Sequence, residues 1–163
     1  MKKFGSFSGK ITMINDFLID QSGMGLGCYK LMSVENDDGS IVNFVISPDT
    51  YFVDRVTVRV GDKVTGYYDA NAPVPLIFPP QYRALVMVKN TPYQNVKVDY
   101  FNGELISSDN TLRLILSPYT MIVLENDQFF NRIPINRNLI VIYKASTKSI
   151  PAQTVPYKII VMC

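Results

Sequence analysis

The sequence has no histidine and no tryptophan, and only two cysteines among its 163 residues. Without histidine, the commonest general base and the commonest metal ligand are both missing. Serine and threonine hydroxyls then have no imidazole to activate them, and no Ser-x-x-Lys motif offers a substitute. Cys28 and Cys163 cannot build a disulfide scaffold or a metal site by themselves. No catalytic residue, metal site or cofactor is therefore implied. Long apolar runs are also missing: none reaches the roughly 18 residues of a membrane-spanning helix. The start, Met1-Lys2-Lys3-Phe4-Gly5-Ser6, lacks the apolar stretch that a signal peptide needs, so the expectation is a cytoplasmic protein with no membrane partner.

Excess charge of either sign is absent too. Sixteen basic side chains face fourteen acidic ones, a net +2. Residues 1–90 carry 9 of each sign, and residues 91–163 carry 7 basic and 5 acidic. Neither half is the basic body expected where phosphate neutralisation drives affinity, which counts against nucleic acid.

What is present builds a core. Hydrophobic residues make up 47% and charged residues 18%, the balance of a compact globular protein of one domain or two small ones. The periodicity is that of strands and not helices. Val56-Thr57-Val58-Arg59-Val60 and Val96-Lys97-Val98 alternate, and β-branched and aromatic residues fill the runs. Strands are expected at 7–14, 27–35, 40–46, 51–60, 63–69, 82–89, 95–101, 103–108, 111–116, 120–124, 138–144 and 157–162. Asp38-Gly39, Gly61-Asp62, Asn102-Gly103 and Asp109-Asn110 separate them. Asn102-Gly103 is the strongest hairpin signal, since a type I′ turn needs positive φ at both central residues. The class is all-β.

The chain also repeats itself. Tyr82-Arg83-Ala84-Leu85-Val86-Met87-Val88 matches Tyr157-Lys158-Ile159-Ile160-Val161-Met162-Cys163 class for class, at an offset of 75. Cys163 there replaces Val88 as a small apolar residue. Val58, Val60, Val64 and Tyr68 map at the same offset onto Ile133, Ile135, Leu139 and Tyr143. Ser47-Pro48-Asp49-Thr50 matches Ser117-Pro118-Tyr119-Thr120 at 70. Phe7–Ile11 can be paired with Phe101–Leu105 at 94, which leaves residues 16–39 either an insertion of the first copy or a regular strand pair. A period this long signals a small domain duplicated in tandem. The expected domains are 1–90, with the glycine-rich insertion, and a shorter second repeat at 91–163.

Five strands per copy, with Ser-Pro-x-Thr closing the third run and a long loop before the last, resemble an OB-like Greek-key barrel. The chain is thus read as two tandem pseudo-repeated OB-like barrels. It also resembles small bacterial proteins of the firmicute type, a likeness that implies no activity.

Four constellations could carry function. In Gly23-Met24-Gly25-Leu26-Gly27-Cys28, leading into Tyr29, backbone amides could approach a phosphate. The run nevertheless lacks the βαβ context of a dinucleotide fingerprint, and a glycine-kinked strand entry also explains it. Asp69 to Arg83 is a long loop holding Pro73, Pro75, Pro79 and Pro80, which fix an extended connection. Its Leu76, Ile77 and Phe78 either form a patch for a protein partner or fold back as a cap. Its length from Tyr68 to Tyr82 equals that from Tyr143 to Tyr157, so the loop reads as duplicated. Tyr82-Arg83 and Tyr157-Lys158 could stack on bases while holding phosphates, although neighbours on a strand face opposite sides, with tyrosine inside and the cation outside as the ordinary arrangement. Scattered acids complete the set, and Asp49 and Asp69 become Tyr119 and Lys144 in the second copy.

The reading that follows is a non-catalytic binding or assembly module. Its partner is another protein or another copy of itself, engaged through the Pro-rich loop and the barrel face. Single-stranded nucleic acid or an oligosaccharide on the OB-like face is the alternative, and a small-ligand or enzymatic site at the glycine-rich insertion is the weaker one. A specific site is expected in the first copy.

Overall fold

The structure, a computed structural model, describes residues 1–17 and 27–163. It is all-β, with a single 3-10 turn at Val53–Arg55 among the described residues. Two compact units divide the chain: Phe4–Asn90, and Thr91–Cys163 together with Met1–Lys3.

In the first unit, β1 (Phe4–Asp16), β2 (Lys30–Glu35) and β3 (Ile41–Ile46) form an antiparallel meander. The early half of β1 pairs with β5 (Lys63–Asp69) and its late half with β2. The last segment splits in two. β6 (Gln81–Arg83) runs parallel to β3, while β7 (Val86–Lys89) lies between β5 and the short β4 (Tyr51–Phe52). Residues 81–89 thereby hydrogen-bond to both ends of the strand series. Ile11, Met32, Val34, Val42, Phe44, Val64 and Met87 supply the core.

The second unit repeats four of these six pairings. β8 (Asn95–Phe101) pairs with β11 (Arg137–Tyr143), β11 with β13 (Lys158–Met162), β13 with β10 (Met121–Leu124), and β9 (Leu112–Leu114) with β12 (Ala152–Thr154). Each pairing has the same sense as its counterpart in the first unit. Phe101, Leu112, Leu114, Leu139, Val141, Ile159 and Val161 fill its core.

Register corrects the sequence alignment. β5 and β11 correspond at 75, because Val64 opposes Lys89 as Leu139 opposes Val161. The Ser-Pro-x-Thr turns correspond at 70 and make the same bonds. Thr50 Oγ1 donates to the Ala84 carbonyl at 2.8 Å, and Thr120 Oγ1 to the Pro156 carbonyl at 2.7 Å. The next amide on each turn, Tyr51 or Met121, donates to the carbonyl of Leu85 or Tyr157. Tyr157 therefore stands where Leu85 does, and the final strands align at 72 and not 75. The loop before them is accordingly three residues shorter in the second unit, not duplicated. A cis X-Pro bond precedes β6 and β12 at corresponding places, Phe78–Pro79 and Ile150–Pro151. Cys163 is exposed beyond the end of β13, and Ile160 stands in the place of Val88. The first strands align at 90, since Gly9 opposes Val64 as Asp99 opposes Leu139. A match of residue classes could not detect these shifts, because any two β-runs of alternating valine and isoleucine match at several registers.

Other expectations change with the ladder. Val56–Val60 alternates in exposure but joins no ladder among the described residues; positive φ at Asp54 and Arg55 turns the chain out of the sheet first. An extended segment alternates its side chains whether or not a neighbour hydrogen-bonds to it. Residues 103–108 make only two isolated bridges, Phe101 with Ser107 and Ile106 with Arg113. The Asn102-Gly103 turn is not type I′. Leu105 takes the positive φ, and the Asn102 side chain accepts from the amides of Glu104 and Ile106. The segment 30–35 is thus a regular strand in the first unit, and its counterpart has shrunk to those bridges. β12 falls inside what the sequence presents as a loop.

Candidate functional surface: an apolar loop and an apolar groove

The Pro-rich loop leaves β5 at Asp69, whose carboxylate accepts from the Asn71 amide at 2.9 Å, and re-enters the sheet at Gln81. Between them every residue from Ala70 to Phe78 is exposed. Leu76 is 101% and Phe78 90% exposed, with Ile77 also outside. The loop is therefore not a cap over the core. Proline at positions 73, 75, 79 and 80 limits its conformations, so the apolar side chains are presented without the entropy of a free loop.

The base of this loop is aromatic. Tyr68 and Tyr82 stack with centroids 3.9 Å apart and planes at 6°. Burial first, and then the neighbouring Tyr82, raises the Tyr68 phenol above the ordinary tyrosine value. Gly5 makes the stack possible: a Cβ there would lie 2.5 Å from the Tyr68 ring. Beside the stack, Arg83 Nη2 lies 3.9 Å from Asp49 Oδ2, an exposed pair of small energetic weight.

The corresponding place in the second unit is built differently. A groove of about 940 Å³ is lined by Ile115, Lys144, Ala145, Thr154, Val155 and Tyr157, among others. By register, Thr154 replaces Tyr82 and Val155 replaces Arg83. The tyrosine that stacks on Tyr68 in the first unit is thus a threonine here, and the Asp49–Arg83 ion pair becomes Tyr119 and Val155. Both are exposed, at 92% and 53%. The walls are held by hydrogen bonds: Thr154 Oγ1 donates to the Ala145 carbonyl at 2.5 Å, the Thr147 amide donates to the Gln153 carbonyl, and the Gln153 amide donates to Thr147 Oγ1. Tyr157 donates its hydroxyl to Gln94 Oε1, and Lys144 Nζ lies 5.8 Å from the Tyr157 ring centroid. Ile150, at the place of Phe78, is 89% exposed.

The protein-family models contain no match to this chain, and neither do the curated proteins. The surface has to be read from its own chemistry.

The other sequence candidates fall as follows. Gly23 and Gly25 lie outside the described residues. Gly27 occupies a turn at φ +82°, and the Tyr29 carbonyl accepts from Phe17, adding a rung to the β1–β2 ladder. Tyr82 is half-buried and Arg83 exposed, as alternation requires, but in the second unit the order reverses: Tyr157 is exposed and Lys158 half-buried. The three-residue register shift is the cause. Among the described residues, no group of three or more acids and cysteines is placed to hold a metal ion, and no helix is long and apolar enough to cross a membrane. Sequence reading missed the groove altogether. Its residues are separated by up to 42 positions, from Ile115 to Tyr157, and no local motif marks them.

Proposed function

We propose that the chain is a protein-binding or assembly module, and that each unit is a small OB-like Greek-key barrel serving as a rigid frame for its loops. The architecture is supported by the parallel pairing of third and last strands and by antiparallel pairing of the first strand with the fifth, which together return the series on itself. The function is carried by one observation: Leu76, Ile77 and Phe78 stand in solvent on a loop fixed by four prolines. Contiguous apolar side chains held outward by a stiff loop lose little further entropy on docking, which is how such loops gain affinity.

A photo-crosslinking side chain at Ile77 tests this reading, with the same group at exposed Glu104 as the control. Crosslinking from Ile77 to a protein at a defined mass, in the purified chain or in a lysate of the source cells, is expected. Equal, diffuse labelling from both positions would remove the loop as a contact surface. Oligonucleotide binding that weakens steeply with salt would instead favour a nucleic-acid role for the Tyr68–Tyr82 platform and Arg83.

A further inference from the structure

We infer that the groove of the second unit receives the Pro-rich loop of another copy of this chain, so that copies join head to tail. This rests on the loop being a protein-contact surface and names its partner.

Three observations carry it. The first is chemical fit. Proline-rich extended segments dock into grooves walled by aromatic and aliphatic side chains, because they bring a preformed backbone with few donors to desolvate. The groove offers Tyr157, Ile115 and Val155 as such walls, and Thr154 and Ala145 as a small-residue floor. The loop offers Leu76 and Phe78, flanked by Pro75 and Pro79.

The second is the division of labour between the units. Only the first unit has the long loop, since that of the second is three residues shorter by register. The groove, for its part, is formed where Thr154 and Val155 replace Tyr82 and Arg83. In the first unit Tyr82, at the place of Thr154, stacks on Tyr68, and Arg83, at the place of Val155, lies beside Asp49. Projection and recess thus lie on different units of the chain. An apolar projection and a complementary recess on different parts of one molecule make a heterologous contact, which propagates or closes into a ring.

The third is charge. Asp69 stands at the base of the projecting loop, and Lys144, its counterpart in the second unit, stands at the rim of the groove. Seating the loop would bring the acid of one copy toward the lysine of the next. The reverse, loop on loop, would bring acid to acid.

The test uses two full-length variants at exposed positions, each checked for its fold by circular dichroism. Leu76→Asp/Phe78→Asp removes the projection and keeps the groove. Val155→Arg puts into the groove the residue found at that place in the first unit. In light scattering across a hundredfold concentration range, wild-type mass should rise beyond that of a dimer, or to a closed ring. Each variant alone should remain monomeric. Mixed, they retain one intact projection and one intact groove between them, so they should form a 1:1 heterodimer and stop there. A wild type that stays monomeric overturns the proposal, as does a mixture that never pairs. If the loop variant abolishes assembly and Val155→Arg leaves it intact, the loop is a contact surface but the groove is not its seat. A crosslink from Ile77 to a different protein, with no self-association, likewise leaves the module reading standing and removes this one.

Discussion

The ring of Phe44 packs against Gly66 so closely that a Cβ on the glycine would lie 2.5 Å from Cζ. β3 and β5 are not hydrogen-bonded neighbours, so the contact crosses the interior of the first unit. Register places Leu114 and Val141 at the corresponding positions of the second unit, both buried. One unit combines a phenylalanine with a glycine, and the other a leucine with a valine.

Gly66→Ala should therefore destabilise the protein by about 1–3 kcal/mol through overpacking. Adding Phe44→Leu, which supplies the second unit's solution, should recover part of that loss. Urea unfolding of the single and double variants measures the coupling. Strictly additive losses would show that Phe44 does not hold the glycine in place.

Asp109 is poised to make the second unit sensitive to acid. Burial opposes its ionisation, but hydrogen bonds from Lys97, Thr111 and Ser107, together with the Lys97 charge, outweigh it and hold the carboxyl well below the ordinary carboxylate range. A depressed folded-state pKa contributes stability that is present above the unfolded value, here 3.8, and lost as pH falls below it. Asp109→Asn should lower stability at pH 7, and the difference from wild type should shrink as pH drops below about 4. A difference constant from pH 7 to pH 3 would show that the carboxylate charge is not what matters.

The two Ser-Pro-x-Thr turns predict matched effects. Thr50→Val and Thr120→Val each leave a carbonyl, of Ala84 or Pro156, without its hydroxyl donor. Each also removes the acceptor for a serine amide, Ser47 or Ser117. Losses of about 1–3 kcal/mol are expected for each by denaturant unfolding. Thr→Ser, which keeps the hydroxyl, should cost less at both sites. A loss at one turn only would show that the two are not doing the same work.

Much of this frame was legible in the chain. Alternating Val, Ile and Tyr runs with Gly and Asn turns made it all-β, and Ser-Pro-x-Thr marked the same turn twice, because its bonds are local and depend only on those residue types. The exposed triad at Leu76, Ile77 and Phe78 could be named but not placed, since a sequence does not say which side of a loop meets solvent. The break at Asp54 and Arg55 was hidden for a related reason: alternation records which way side chains face, not whether a neighbouring strand accepts the backbone bonds.

By itself, then, the sequence determined the strand class, the duplicated turn, and the lack of a histidine-based site, all consequences of residue type and near-neighbour spacing. Tertiary structure alone decided the register. The hydrogen bonds from Tyr51 to Leu85 and from Met121 to Tyr157 moved the final repeat from an offset of 75 to one of 72. That three-residue shift puts Thr154 at the place that Tyr82 holds in the first unit, and shortens the second loop. Pairing across a sheet is a contact between distant residues, and valine-rich strands satisfy it at several registers until the whole core chooses one.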